Sequence, residues 1–181
     1  MSKKDEKICF KPKDFFGSRY RCLSLTHMGR EKLYEVLREL SKNHEIKIEF
    51  DENADNYFPK GFIEPDEQEL GKIKDEVFNQ ILTDDIQSAL KDWWLEIKRG
   101  NPETPNWDLI STCKIDGKPG LFLVEAKAHF TENKPNGKDP DSNPINHEHI
   151  GNMIKDVKDK LNEGDKFSFG LTHERYYQLS N

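Results

Sequence analysis

The stretch Trp107-Asp-Leu-Ile-Ser-Thr-Cys-Lys-Ile-Asp-Gly-Lys-Pro-Gly-Leu-Phe-Leu-Val-Glu-Ala-Lys127 decides the fold predicted for this chain. Its centre, Asp116-Gly-Lys-Pro119, is a strong turn signal between two runs of strand-forming residues. We therefore predict that residues 106–130 form two strands joined in a hairpin.

The second strand of this hairpin changes character along one of its faces. Side chains alternate between the two faces of a strand. One face is apolar throughout: Phe122, Val124, Ala126, Ala128 and Phe130. The other begins apolar and becomes ionisable: Leu121, Leu123, Glu125, Lys127 and His129. A carboxylate and an ammonium directly after a buried segment cost free energy unless they are paired or bind a cation. This face therefore predicts a functional site.

The pairing of the two strands can be predicted from the turn. If all four turn residues form the loop, Ile115 pairs with Gly120. Asp108 then lies opposite Lys127, with Glu125 on the diagonal, and all three share one face. Opposed Cβ atoms are roughly 5 Å apart and diagonal ones roughly 7–8 Å. The two carboxylates are thus predicted to be close enough to hold one cation, although a slip of one residue would move Asp108 to the other face.

Two carboxylates with water suit Mg²⁺ or Mn²⁺, since hard cations prefer oxygen ligands. Such an ion can polarise a phosphodiester and lower the pKa of a bound water. The ammonium of Lys127 can stabilise the charge that develops on the phosphate. The set Asp108, Glu125 and Lys127 therefore predicts metal-dependent phosphodiester hydrolysis.

The same residues carry a resemblance to a known family. Pro105-Asn-Trp-Asp108, followed after sixteen residues by Glu125-Ala-Lys127, resembles the PD-(D/E)XK nuclease superfamily with the restriction-endonuclease-like fold. More narrowly, residues 104–130 look like a group of uncharacterised bacterial proteins placed in that superfamily. The resemblance implies an α/β fold, with a mixed β-sheet flanked by helices. The superfamily core ends in a further helix and strand, and no final strand is evident before Asn181, so we expect the last strand to be lacking.

The resemblance also implies roles for single residues. Asp108 and Glu125 would ligate the metal, the Ala126 carbonyl would be a third ligand, and Lys127 would be the catalytic lysine. Many nucleases of this kind add a glutamate from the first core helix, for which Glu35 and Glu96 are candidates.

Three polar residues are further candidates for contacting the substrate. His129 continues the ionisable face, with a rim histidine as the alternative. Asn146 and His147 open a predicted helix, and helix N-termini bind anions. Simple capping is the alternative for Asn146.

Outside the hairpin, apolar residues at helical spacing predict four helices. The first spans about 30–42, and the others carry stripes within 73–82, 86–97 and 150–161, with Thr83 and Asn146 as predicted caps. Alternation of Ile46, Ile48 and Phe50 predicts a strand. The acidic segment 51–76 is predicted to be a surface connection, and the proline- and asparagine-rich segment 131–144 a mobile loop.

Composition limits the classes of protein. The 181 residues suit one domain, residues 1–181. No apolar run is long enough for a membrane span. The N-terminus lacks the apolar stretch of a signal peptide, and three cysteines without CxxC spacing suit a reducing compartment. We therefore expect a cytoplasmic protein.

Charge bears on the partner. The net charge is −6, which by itself argues against a polyanion. Segment 51–76 carries all of this excess, so the rest of the chain is neutral. Residues 3–21 interleave seven lysines and arginines with four aromatic rings, a composition that suits nucleic acid. A solvated arm anchored by a few rings is the alternative.

The predicted function is a Mg²⁺-dependent endonuclease-like phosphodiesterase that acts on DNA. Two alternatives remain open. One is a non-catalytic binding module that retains the nuclease fold, and the other is a metal-dependent hydrolase of a small phosphoester.

Overall fold

The computed structural model describes residues 16–42, 47–99, 102–127 and 143–163, together with Gly170 and Thr172. His129, residues 131–142 of the predicted mobile loop and the predicted absence of a last strand lie outside the described residues. The described chain forms four helices, α1 Gly17–His27, α2 Arg30–Ser41, α3 Asp84–Trp94 and α4 Pro144–Asn162. It also forms six strands, β1 Ile48–Glu49, β2 Tyr57–Phe58, β3 Gln68–Glu69, β4 Asn106–Trp107, β5 Leu109–Ile115 and β6 Lys118–Val124. The predicted α/β class is confirmed.

The hairpin of β5 and β6 is confirmed, but its register differs from the prediction by two residues. Ile115 pairs with Lys118 and not with Gly120. The loop is only Asp116-Gly117, and both residues have positive φ, 49° and 79°. Asp-Gly favours this two-residue turn because both residues tolerate positive φ. Since the shift is an even number of residues, the side chains of the paired strands stay on their predicted faces. The second strand is shorter than predicted, because β6 ends at Val124 and residues 125–127 follow it outside the ladder.

A sheet is built around β5. β6 pairs along one edge of β5, while β1 and β2 pair with successive parts of it. Every pairing among the described strands is antiparallel. The predicted mixed sheet, which needs at least one parallel pair, is therefore not found among the described strands.

The acidic segment 51–76 is more than the predicted surface connection. It contributes both β2 and β3 to the fold. Its apolar residues Tyr57 and Ile73 are buried in two different core clusters. Most of the acidic side chains of this segment are exposed, while its apolar side chains belong to the core.

The predicted helix at 30–42 is confirmed as α2. Its buried residues Leu33, Tyr34 and Leu37 pack on Tyr57 and Leu109. The stripe within 73–82 forms only a short 3-10 helix, Phe78–Gln80, between turns. Phe78 and Leu82 still reach the core, which satisfies the apolar pattern without a full α-helix.

α3 and α4 pack on each other around a third cluster, Trp94, Leu95, Ile150 and Ile154. Thr83 caps α3 as predicted, since its side chain accepts a hydrogen bond from the Ile86 amide. The predicted cap of α4 is wrong: Asn143 caps it, because Pro144 fits the first helical position and needs no amide partner. No helix in the described parts of the chain is both long and apolar enough to cross a membrane.

Candidate functional site

Asp108 lies at the junction of two strand pairs. β4, directly before it, pairs with β3, and Trp107 is opposite Gln68. β5, directly after it, pairs with β6, and Leu109 is opposite Val124. One more step along each register brings Glu67 to one side of Asp108 and Glu125 to the other. Opposed residues of antiparallel strands are only about 5 Å apart between Cα atoms. The charges of Glu67 and Glu125 both act on the Asp108 carboxyl, so acidic residues from three distant parts of the sequence lie near one another here.

The hairpin register corrects the predicted geometry of the site. Asp108 does not continue the ladder opposite Lys127, because the shorter turn moves the pairing by two residues. Glu125 takes the opposed position that was predicted for Lys127. The carboxylate of Asp108 accepts a 2.7 Å hydrogen bond from the backbone amide of Ala126. The chain just after β6 therefore lies against Asp108, and the Glu125 charge acts on the Asp108 carboxyl. The role of the Ala126 carbonyl as a ligand stays a prediction.

Lys127 turns back onto Glu125. Its ammonium forms a hydrogen-bonded ion pair with the Glu125 carboxylate. Both side chains are largely enclosed, with exposed fractions of 18% for Lys127 and 22% for Glu125. The structure thus brings together the three residues that the sequence singled out.

Asp108 occupies an unfavourable place for a negative charge. Burial is the main cause that raises the pKa of its carboxyl, from 3.8 to about 6. The charges of Glu125 and Glu67 raise this pKa further, while the Ala126 hydrogen bond and Lys127 lower it. A cation placed beside Asp108 would offset the same unfavourable terms.

Glu67 is the site residue that sequence reasoning did not find. It belongs to the acidic segment 51–76, where nothing in the local pattern distinguishes it from its neighbours. Its carboxylate pairs with the guanidinium of Arg19 from α1. Arg19 also donates a 2.6 Å hydrogen bond to the Pro65 carbonyl. The Arg19 side chain is only 15% exposed, so this contact fixes α1 to the segment that leads into β3.

Cys22 lies on the buried face of α1 in the same region. Burial raises the pKa of its thiol to about 12, and Asp108, Glu67 and Glu125 raise it further. The thiol therefore stays protonated at neutral pH. Because a thiolate is the reactive form, Cys22 acts here as a packing residue.

The two candidate helix glutamates lie in other surroundings. Glu35 of α2 is exposed and pairs with Lys32, which lowers the pKa of its carboxyl. Glu96 follows α3 and its side chain is exposed. Its Oε2 atom lies 3.4 Å from Nδ1 of His149. Neither of these contacts involves Asp108, Glu125 or Lys127.

Asn146 has a structural task. Its side chain is buried, and its amide oxygen accepts a 2.7 Å hydrogen bond from the Ile97 amide. Its amide nitrogen donates a 2.9 Å hydrogen bond to the Ile97 carbonyl. These bonds tie α4 to the chain that follows α3. His147, on the same helix, is half-buried, and its contact with substrate stays a prediction.

An open cavity of about 980 Å³ lies at the opposite end of the hairpin, beside Lys114 and Pro119. Its lining includes Arg38 and Asp51 but none of the Asp108 group. The candidate site at the strand junction is therefore separate from this cavity.

Among the described residues, no three His, Cys, Asp or Glu side chains are grouped closely enough to hold a metal ion. The oxygen donors of the site are the carboxylates of Asp108 and Glu125, with Glu67 turned toward Arg19. No family model, no curated protein and no solved structure matches this chain.

Proposed function

We propose that this protein is a Mg²⁺- or Mn²⁺-dependent phosphodiesterase of the endonuclease type that acts on DNA. In this proposal it is a cytoplasmic member of the PD-(D/E)XK superfamily with the restriction-endonuclease-like fold. The observation that carries the proposal is that Glu125 and Ala126 lie beside Asp108 at the open end of the hairpin, with Lys127 paired to Glu125.

The donor set fits a hard divalent cation. Asp108 and Glu125 offer carboxylate oxygens, and Mg²⁺ is commonly bound by one or two carboxylates while it keeps several waters. The raised pKa of Asp108 reflects burial and two negative neighbours, which a cation would offset. When bound, the ion would supply Lewis-acid polarisation of the phosphodiester and a water of lowered pKa.

The residues of the chain then have separate tasks. The Ala126 amide holds one carboxylate oxygen of Asp108 by a hydrogen bond. The same bond fixes the orientation of the whole carboxylate, including its second oxygen. Glu125 holds the Lys127 ammonium in an enclosed position. The Lys127 ammonium held there would stabilise negative charge on a phosphate more strongly than it would in open water, because the local dielectric is lower.

A nicking assay on supercoiled DNA with Mg²⁺ or Mn²⁺ tests the proposal. Wild type is expected to nick the DNA, and Asp108→Asn and Lys127→Ala are expected to abolish nicking. Lys118→Ala is the matched control, because Lys118 is an exposed lysine of the same hairpin. Nicking that persists unchanged in both site variants would refute the proposal.

A second candidate is a binding module that retains the fold without catalysis. It is favoured by the two ion pairs at the site, Lys127 with Glu125 and Arg19 with Glu67, which already neutralise two of the three acids. Calorimetric titration with Mn²⁺ separates the candidates. Binding that is lost in Glu125→Gln supports the enzyme, and no binding by wild type supports the module.

A further inference from the structure

Lys127 is paired with one of the two proposed metal ligands. Its ammonium forms a hydrogen-bonded ion pair with Oε1 of Glu125. Within the part of the chain that the structure describes, Glu125 is the only acidic residue that forms an ion pair with Lys127. The lysine and the cation of the proposed function therefore require the same carboxylate.

The ion pair of Lys127 with Glu125 is more enclosed than an ordinary surface contact. The exposed fractions of the two side chains are only 18% and 22%. Exposed ion pairs are surrounded by water and contribute little. In an enclosed pair, each charge has lost part of its water and depends more on its partner. Access to the Glu125 carboxylate is consequently limited by the Lys127 ammonium and not only by water.

Asp108 lies within reach of both members of this ion pair. Its carboxylate accepts the 2.7 Å hydrogen bond from the amide of Ala126, the residue between Glu125 and Lys127. The charges of Glu125 and Lys127 both act on the Asp108 carboxyl, in opposite directions. The three side chains therefore form one electrostatic group, in which a change at one contact acts on the others.

The charges of this group balance differently with and without a divalent cation. Asp108 and Glu125 carry two negative charges when both are ionised, and Lys127 offsets one of them. Glu67 adds little to this balance because Arg19 pairs with it. The two carboxylates are balanced by one divalent cation alone, so that the positive charge of Lys127 is then in excess. A phosphodiester carries one negative charge, which matches this excess.

Two cations on one carboxylate are unfavourable in an enclosed site. The repulsion between like charges at short distance grows as the effective dielectric falls. The ammonium of Lys127 can turn away because it is carried by a flexible stem of four carbons. Glu125 and Asp108, by contrast, are the oxygen donors that a hard cation needs. The side chain that is free to leave is therefore Lys127.

We propose that Lys127 competes with the divalent cation for Glu125. In the metal-free protein, Lys127 holds the Glu125 carboxylate. When Glu125 serves as a metal ligand, Lys127 leaves it and becomes available to a phosphate of the substrate. This inference rests on the proposed function for the role of the cation. It adds an order of events, because Lys127 contacts the substrate only after Glu125 has its metal.

Nuclear magnetic resonance of the lysine ammonium groups tests the competition in the unaltered protein. The Lys127 signal is identified by its absence in Lys127→Arg. Addition of Mg²⁺ is expected to move the Lys127 signal toward the position typical of exposed lysines. The signal of Lys118, an exposed lysine of the same hairpin, should stay in place. Calorimetry on the same sample shows whether Mg²⁺ is bound.

The rival arrangement keeps both contacts, with Lys127 on one oxygen of Glu125 and the cation on the other. A Lys127 signal that does not move while Mg²⁺ binds would demonstrate this sharing and overturn the proposal. The proposal is also overturned if wild type binds neither Mg²⁺ nor Mn²⁺.

Calorimetric titration with Mn²⁺ gives an independent measurement. Lys127→Met removes the competing charge and keeps an unbranched side chain of similar length. It is expected to bind Mn²⁺ about tenfold more tightly than wild type, a factor that corresponds to about 1.4 kcal/mol. Lys127→Arg, which keeps a cation beside Glu125, is expected to bind like wild type.

Lys118→Met is the matched control, since it removes one positive charge from the same hairpin without touching Glu125. Circular dichroism shows that each variant is folded. Mn²⁺ binding by Lys127→Met that is no tighter than binding by Lys118→Met would contradict the competition.

The two proposals can fail separately. If Lys127→Met binds Mn²⁺ more tightly and the Lys127 signal moves, but wild type does not nick DNA, the nuclease proposal fails and the competition stands. If metal-dependent nicking requires Lys127 but the signal does not move and the Mn²⁺ affinity is unchanged, the nuclease stands and the competition is refuted.

Discussion

Asp108 and Ala126 are joined by a 2.7 Å hydrogen bond from the Ala126 amide to the Asp108 carboxylate. The bond crosses from the start of β5 to the chain just beyond β6, where the ladder of the hairpin has ended at Val124. The Asp108 side chain therefore adds one hydrogen bond between the two segments beyond the last pair of the ladder. The consequence is that the position of the carboxylate depends on the hairpin itself and not on a flexible loop.

The raised pKa of Asp108 predicts an unusual pH dependence of stability in the protein without metal. The folded state keeps the proton up to about pH 6, whereas an unfolded chain loses it near the ordinary value of about 3.9. Between these values the folded state binds more protons, so its free energy of unfolding falls as pH rises. Above about pH 6 the full destabilisation is present.

Asp108→Asn removes this charge while its side-chain oxygen can still accept the Ala126 hydrogen bond. We expect the variant to be more stable than wild type at pH 7.5 by on the order of 1–3 kcal/mol, with a much smaller difference at pH 4. Urea denaturation in EDTA measures both. Asp156→Asn, at an exposed position of α4, is the control. A variant that is no more stable than wild type at pH 7.5 would contradict the raised pKa of Asp108.

Arg19 is predicted to stabilise the fold more than an ordinary surface arginine does. Its guanidinium is largely enclosed and binds both Glu67 and the Pro65 carbonyl. Arg19→Gln should lower the free energy of unfolding by about 1–3 kcal/mol, because a charged group and a buried carbonyl lose their partner. Arg38→Gln is the control, since the ion pair of Arg38 with Glu52 is exposed and should contribute little. Equal effects of both changes in chemical denaturation would argue against this role for Arg19.

Asn146 is predicted to be a structural residue and not a substrate contact. Asn146→Ala leaves the amide and the carbonyl of Ile97 without their partners, which should cost about 1–3 kcal/mol of stability. Asn152→Ala, at an exposed position on the same helix, should cost far less. Thermal unfolding measures both changes. If the nicking activity is present, loss of activity in a fully stable Asn146→Ala would reverse the interpretation.

The sequence was informative where local chemistry decides the structure. Asp116-Gly117 predicts the hairpin because the two residues accept positive φ, and the two-residue error in register followed from assuming a longer loop. The residues of the paired strands were still assigned to the right faces because the error was even. Glu125 and Lys127 were singled out from alternation along the second strand, and Asp108 from the predicted pairing of the hairpin.

Glu67 could not be found in the same way. It precedes a strand of two residues, which is too short to show any alternation, and the partner strand lies almost forty residues later. A similar limit applies to α3, where the apolar stripe predicted within 86–97 includes Ile86 and Trp93. The structure leaves both exposed and buries Gln87, whose amide binds the carbonyls of Ile73 and Leu82. Hydrogen bonding outweighed hydrophobicity at this position.

Gly61 is predicted to be the most sensitive glycine of the surface beside α1. Its φ is +61°, and an added Cβ would lie 2.7 Å from the backbone Cα of His27. Gly61→Ala should therefore combine backbone strain of about 1 kcal/mol with a displacement of the turn from α1. Gly117→Ala is the matched control, because Gly117 has a φ of +79° but open space around it, so only the strain applies. We expect Gly61→Ala to lower the free energy of unfolding more than Gly117→Ala does. Equal losses of stability in both variants would show that the close approach of Gly61 to His27 is not needed.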